Sequence, residues 1–277
     1  MNTIIVPTDF SPAALNALNY AADMAIEINA DIHLLHIYQV PIAIIDAPLV
    51  LVSVDELKEG AEQQLASLKQ GLEHVTSGKI KISTEAILGD PIDELQKVCE
   101  RVHPFAVVMG SLGHSSLERS LFGSTTLSAI RHITYPVIAV PIGKEYSPGI
   151  KKAGLAADLR AVAQTTPFEA IQKFIQKFNA ELHVLNVAYK ETQSQEEKDK
   201  ELLVMKNALK DLNPQFHFIE NSDVEQGIED FAVNNNLDLI IAIPKKHKLL
   251  DGIFKKSSTR QLIYESSLPV MCIHEEM

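Results

Sequence analysis

Two groups of residues in the 277-residue chain have the types and spacing to hold a ligand. The first is Gly110-Ser111-Leu112-Gly113, followed after nine intervening residues by Gly123-Ser124-Thr125. Glycines at 110 and 113 let a backbone come close to a ligand, and Gly123 opens a helical pattern whose free N–H groups and positive dipole end suit a phosphate. The hydroxyls of Ser124 and Thr125 add donors. The second group, Pro7-Thr8-Asp9, directly follows a short apolar run. Neither is a Walker loop: no glycine precedes the lysine and Ser/Thr of that motif, and no Gly-x-Gly-x-x-Gly occurs. The implied chemistry is anion binding by backbone N–H groups and hydroxyls.

Other constellations carry less. His33 and His36 stand three apart on a predicted strand, so they face opposite sides and cannot converge on one ion. Serine, histidine and aspartate are all present, but no Gly-x-Ser-x-Gly elbow occurs and Ser111 belongs to the glycine group. The adjacent carboxylates Asp93-Glu94 and Glu275-Glu276 fall at helix or chain ends and read as solvated surface. Two cysteines, Cys99 and Cys272, make neither a disulfide framework nor a multi-thiolate metal site and read as small buried hydrophobes. What emerges is a binding site without an evident general base or nucleophile.

Positioning these groups requires alternating strands and helices, and the chain supplies them twice. Ile4-Ile5-Val6-Pro7-Thr8-Asp9 pairs with Ala153-Gly154-Leu155-Ala156-Ala157-Asp158 at an offset of 149 residues. Ala30-Asp31-Ile32-His33-Leu34-Leu35 pairs with Ala180-Glu181-Leu182-His183-Val184-Leu185 at 150, and Tyr135-Pro136-Val137-Ile138-Ala139-Val140 with Leu268-Pro269-Val270-Met271-Cys272-Ile273 at 133. The order is the same in both halves, which indicates a duplicated domain. The fall in offset places about 17 extra residues in the first copy, at 38–54. That broken apolar stretch reads as a loop over its own domain or as a flap for a partner or ligand. Gly143 to Gly149, rich in Gly and Pro, reads as the linker between domains at 1–143 and 149–277.

In the first copy a strand is expected at 4–7, then a helix capped by Ser11-Pro12 and running to about residue 28, with Ala14, Leu18, Ala21, Ala25 and Ile28 at helical spacing. A strand at 32–37, a helix at 55–75 and a strand at 79–88 follow, then a helix capped by Asp90-Pro91 and reaching 102. Apolar strands at 105–109 and 137–140 flank a helix from about 124 to 132. Unalternating Val/Ile strands between helices imply a parallel sheet covered on both faces, so the fold class is α/β, with two tandem five-stranded layers. In such sheets ligands bind beyond the carboxyl ends of the strands near the switch in strand order, where both residue groups fall.

Composition excludes other roles. With 25 basic and 36 acidic residues the formal charge is −11, which opposes non-specific nucleic-acid binding. No apolar run approaches the ~18–20 residues of a membrane span, and the N-terminus lacks a basic segment followed by an apolar core, so a cytoplasmic protein is expected.

In combination these motifs resemble the universal stress protein family. The resemblance rests on the opening strand ending in Pro7-Thr8-Asp9-Phe10-Ser11, on Gly110, Gly113, Gly123 and Ser124 as a Gly-x2-Gly-x9-Gly-Ser/Thr motif, on Gly89-Asp90-Pro91, and on the closing strand Pro136 to Val140. It covers both copies and points to the tandem-domain branch, with a Rossmann-like α/β sandwich akin to the adenine nucleotide alpha hydrolases. It implies that the first copy binds ATP, with Mg2+ on the phosphates. By similarity Asp9 contacts the ribose or adenine region, and Pro7, Thr8 and Ile37 the adenine. Met109, Gly110, Gly113, Gly123, Ser124 and Thr125 are matched to the ribose and phosphates. Leu112 departs from the basic or polar residue of many members, while His114 and Arg119 remain able to supply positive charge.

The second copy has lost this cradle. Ile243, Lys246 and Lys256 stand where the first has Gly110, Gly113 and Gly123, although Asp158 is retained, so ATP is expected in the first domain only. Its Lys245, Lys246, His247, Lys248, Lys255, Lys256 and Arg260 read as solvated surface, as a contact for the acidic first domain, or as a site for another anion. Through residue 147 the chain has 9 basic and 17 acidic residues (net −8), against 16 and 19 (net −3) beyond it. The leading expectation is a nucleotide-dependent regulatory protein of the stress response. The alternatives are a slow ATPase, disfavoured because the His-x-Gly-His and Ser-Gly-Gly-x-Asp-Ser signatures of adenylate-forming relatives are absent, and a non-nucleotide interaction module using the flap and the basic loop. Family members commonly pair through their last strand. This implies an internal pseudo-dimer around 137–140 and 270–273 and leaves a homodimer of chains open.

Overall fold

The computed structural model describes residues 2–40, 53–111, 124–146, 149–188, 194–244 and 258–275. The first half runs β1 (Asn2–Pro7), α1 (Pro12–Ile28), β2 (Ala30–Tyr38), α2 (Val54–Val75), β3 (Ile82–Leu88), α3 (Pro91–Val102), β4 (Ala106–Ser111), α4 (Ser124–His132) and β5 (Val137–Pro141). The second runs β6 (Lys152–Ala156), α5 (Val162–Thr165), α6 (Phe168–Phe178), β7 (Glu181–Ala188), α7 (Gln195–Leu209), β8 (Gln215–Glu220), α8 (Val224–Asn234), β9 (Leu239–Ala242), α9 (Ser258–Glu265) and β10 (Val270–Cys272). Among the described residues no helix is long and apolar enough to cross a membrane.

All ten strands form one sheet, ordered β3-β2-β1-β4-β5-β10-β9-β6-β7-β8. Within each half every pairing is parallel; the seam between halves, β5 against β10, is antiparallel, with Ala139 opposite Val270, Ile138 opposite Met271 and Val137 opposite Cys272. The two expected layers are thus halves of a single continuous sheet, joined by the strands that were expected to pair internally. All five residues of β5 are buried, as suits a strand covered on both faces and paired on both edges.

Several helices begin where side-chain caps stand. The Ser11 side chain accepts from the Ala14 N–H, with Pro12 at the first helical position, and Asp90 accepts from the N–H groups of Ile92 and Asp93. In the second half Asp223 repeats the role of Asp90 by accepting from the Gln226 N–H. The third strand starts at Ile82 rather than at 79, because the turn after α2 carries Ser77 and Gly78 at positive φ and leaves Ile80 and Lys81 as its exit.

Side chains from both halves share one core on the α1 face, where Phe105 stacks on Phe174 at 5.8 Å and 16°. Tyr146 of the linker is docked on the first half. The Tyr146 hydroxyl donates to Glu27 at 2.6 Å and Lys151 pairs with the same carboxylate at 2.8 Å. Its ring meets Tyr20 edge to face at 4.9 Å. Residues 41–52 of the insertion expected at 38–54, and the lysines at 245–256, lie outside the described residues.

The halves differ at the first helix. Where α1 is continuous, the second half has the single turn α5 and then α6, separated by Thr166 and Pro167. Proline lacks the N–H that would continue the ladder. A second cause lies across the sheet: α1 approaches β4 so closely that a Cβ on Gly110 would sit 2.6 Å from the carbonyl carbon of Ala13 and closer still to its oxygen. Ile243 occupies that place in the second half, so an equally close straight helix is excluded there.

Candidate functional site

At the carboxyl ends of β1, β2 and β4 the sheet opens into a cleft of about 230 Å3. β1 lies between β2 and β4, so the cleft sits at the reversal of strand order where α/β sheets bind ligands. Its floor is Pro7 from β1 and Thr8 just after it, Leu35 and Ile37 from β2, and Met109 and Gly110 from β4. Pro91 and Leu95 of α3 form one wall, and Thr125 and Thr126 of α4 another.

The loop after β1 is held in shape by its own backbone and by β2. The Thr8 N–H donates to the Leu35 carbonyl at 2.8 Å, and the Thr8 carbonyl accepts from His36 Nδ1 at 2.7 Å. Phe10, at φ +64°, brings its N–H onto Thr8 Oγ1 at 3.0 Å, while its ring packs on His36 with centroids 4.5 Å apart. One Asp9 oxygen accepts from the Ser11 N–H at 3.0 Å, which orients an otherwise exposed carboxylate at the cleft. On the far side Thr126 Oγ1 donates to the Gly110 carbonyl at 2.8 Å and ties the start of α4 to the end of β4. The described lining contains one carboxylate, Asp9, and no lysine or arginine.

The profile described as the Universal stress protein family matches residues 1–141. The chain belongs to the universal stress protein family. Universal stress protein MJ0531 of Methanocaldococcus jannaschii is 31% identical over 139 residues, covering 50% of this chain and 80% of that protein. Universal stress protein MJ0577 of the same organism is 28% identical over 153 residues, covering 50% and 93%. Among solved structures, a universal stress protein from Archaeoglobus fulgidus superposes with a TM-score of 0.75 at 22% identity, covering 99% of this chain and 98% of that one. That likeness extends the fold over both halves.

In this universal stress protein Pro7, Thr8, Asp9, Ile37, Met109, Gly110 and Thr125 come together around the one cleft. Ser124 is the first residue of α4 and exposed, adjacent to the lining. Gly113, His114 and Gly123 lie outside the described residues. Gly110 carries a second constraint besides lining the cleft: its missing side chain makes room for the backbone of α1 at Ala13, so helix packing also calls for glycine there. Sequence reasoning did not assign Ser11, Leu35, Pro91, Leu95 or Thr126 to the cleft, and it placed Ser111 in the glycine group without giving it a contact. Ser111 carried a usable signal, since it stands two residues beyond Met109 on the same face of a strand.

His33, His103, His132 and His274 have structural partners. His33 Nε2 donates to Glu85 at 3.0 Å, and Glu85 also takes Arg101 at 2.5 Å. Burial holds the His33 imidazole below its ordinary pKa, partly offset by Glu85. Among the described residues no group of three or more His, Cys, Asp or Glu could hold a metal ion. Both cysteines are buried, and burial pushes each thiol up to about 12.

The second half keeps the scaffold of the loop and not its lining. Asn186 Nδ2 donates to the Ala157 carbonyl at 2.9 Å as His36 does to Thr8, the Ala157 N–H donates to Leu185 at 2.9 Å, and Asp158 accepts from the Arg160 N–H at 3.2 Å. Leu159 repeats the positive φ of Phe10, at +50°. Yet Ala156-Ala157 replaces Pro7-Thr8, and Ala242-Ile243-Pro244 replaces Met109-Gly110-Ser111.

Proposed function

We propose that the cleft of the first half binds ATP, and that the protein is a nucleotide-dependent regulatory protein of the stress response. The observation that carries this is the cleft itself. Apolar walls from Ile37, Met109 and Leu95 suit a purine face, the Asp9 carboxylate suits a donor such as a ribose hydroxyl, and the hydroxyl-bearing start of α4 suits phosphates. No lysine or arginine stands among the described lining residues, and backbone N–H groups, hydroxyls and the helix end suit the anion there.

Family membership supports the same reading. In it, Gly113, His114, Gly123 and Ser124 complete the phosphate side. Mg2+, when bound, neutralises charge between phosphate oxygens and is held through those oxygens and water. The domains run 1–143 and 149–277, and the second takes no ATP by this mode because Ile243 and Pro244 replace Gly110 and Ser111. One experiment tests the reading. Purified protein is denatured and the supernatant chromatographed for adenine nucleotide, and stripped protein is titrated with ATP by calorimetry. ATP or ADP in the supernatant and one site per chain are expected; no nucleotide and no titratable affinity overturn it.

A further inference from the structure

We propose that the free edge of β8 is a docking surface for a second copy of this chain, the two β8 strands pairing antiparallel about a two-fold axis at Phe218. β8 ends the ten-stranded sheet: β7 pairs with one of its edges, and among the described residues no strand pairs with the other. Phe218 stands in the middle of that edge strand and is 61% exposed. Exposed edges are ordinarily guarded by lysine, proline or a bulge. Gln215-Phe216-His217-Phe218-Ile219-Glu220 contains neither lysine nor proline and pairs with β7 residue for residue. The opposite end of the sheet is different. There α2 packs along β3, whose central residues are the polar Thr84 and Glu85, the latter held by His33 and Arg101.

The residues of the strand itself select a second copy as the occupant. Phe216 packs on the α7 side of the sheet, where Lys206 Nζ lies 5.4 Å from its ring centroid. Side chains alternate along a strand, so Phe218 and Glu220 share that side. In an antiparallel pair, residues directly opposite each other share a face and touch. Centred on Phe218, the pairing sets Phe218 against its own copy and Phe216 against Glu220 of the second copy. Each Glu220 carboxylate then comes to the Lys206 ammonium of the other copy, so an aromatic pair is flanked by two symmetric ion pairs. Centred on His217 instead, the strands would set Glu220 opposite Pro214 and away from Lys206. The chain already joins its own halves in this manner, β5 and β10 pairing antiparallel about Ile138 and Met271, which are equivalent positions of the two copies. A six-residue edge makes a smaller interface than the ~800 Å2 per partner of a standard one, so the dimer is weak, with a Kd of about 10–100 μM.

The test is sedimentation equilibrium of the full chain from about 5 to about 500 μM, on the wild type, Phe218→Lys, Lys206→Glu, Glu220→Lys and the double variant Lys206→Glu/Glu220→Lys, each checked for its native circular dichroism. The wild type is expected to dimerise. Phe218→Lys, at an exposed position, is expected to keep the fold and raise the Kd at least about 10-fold. Each single charge reversal should weaken the dimer by about 3- to 10-fold, and the double variant should restore it to within about 2-fold, because the pair is rebuilt with its signs exchanged. A wild type that stays monomeric throughout leaves the edge to a strand of another protein and overturns the proposal. A dimer untouched by Phe218→Lys has a different interface and overturns it too. A double variant no tighter than the singles refutes the Lys206–Glu220 contact, and with it the register on which the choice of a second copy rests.

Discussion

Gly110 and Ala13 meet backbone to backbone: a Cβ on Gly110 would lie 2.6 Å from the Ala13 carbonyl carbon, with no flexible side chain to yield. Gly110→Ala therefore forces α1 away from β4, an overpacking that costs about 1–3 kcal/mol or more. In a protein of this size the Tm should fall by roughly 2–4 °C per kcal/mol. The fall is expected in the unliganded protein, measured by calorimetry or circular dichroism. An unchanged unliganded Tm would show that Gly110 serves only the ligand.

A second pair predicts the response to acid. His183 Nδ1 lies 3.0 Å from His217 Nε2, with the rings stacked at 18° and Phe231 against His217 at 4.5 Å. Burial lowers the pKa of both imidazoles; for His183 the neighbouring His217 and Lys152 lower it further, and Glu181, 3.7 Å away, partly opposes. With folded pKa values below the ordinary 6.5, the unfolded chain binds more protons in acid. The stability is complete above about pH 6.5 and is lost as the pH falls through and below it. His33 adds in the same direction. Melting curves from pH 7.5 to 5 should show the Tm falling below about 6.5, and falling less in His217→Gln. Parallel curves for the two proteins would rule out this pair as the source.

Nucleotide binding should be visible as stabilisation confined to the first half. A ligand at about 100 times its Kd adds about 2.7 kcal/mol, a rise of roughly 5–10 °C. Asp9→Ala removes an acceptor from the cleft and should reduce the ATP-dependent rise, beyond any change in the unliganded Tm. Asp158→Ala, at the equivalent place in the second half, should leave that rise intact. Equal losses in both variants would mean that both halves bind nucleotide.

Much of this was legible in the sequence because it depends on local signals. Ser11-Pro12 and Asp90-Pro91 each place a helix start to the residue, since a cap and a proline act within one turn. The self-match of Val137–Ala139 with Val270–Cys272 anticipated the seam, because duplicated last strands leave equivalent free edges. What depends on distant packing was not legible. The close approach of α1 to β4 gives Gly110 its meaning, and nothing near Gly110 in the chain records where Ala13 lies. The break between α5 and α6 is half visible in Pro167 and half hidden in Ile243, 76 residues further on. Ser111 was readable as a hydroxyl in a glycine-rich loop, but that it is buried and unpaired follows only from the tertiary fold.

The seam makes a prediction about the halves apart. β5 is buried along its whole length and pairs with β4 on one edge and β10 on the other. Expressing residues 1–143 alone uncovers that second edge, together with the face of Phe105 that stacks on Phe174. A free apolar edge strand seeks another edge, and the partner available at high concentration is a second copy of the same fragment. Antiparallel pairing of β5 with itself is self-complementary and closes as a two-fold dimer, much as β10 closes it now. The fragment should therefore sediment as a dimer at micromolar concentration. Ile138→Lys, placing a charge where Met271 now pairs, should drive it to monomer or aggregate. A soluble monomeric fragment with native circular dichroism would show that the first half does not need its seam covered.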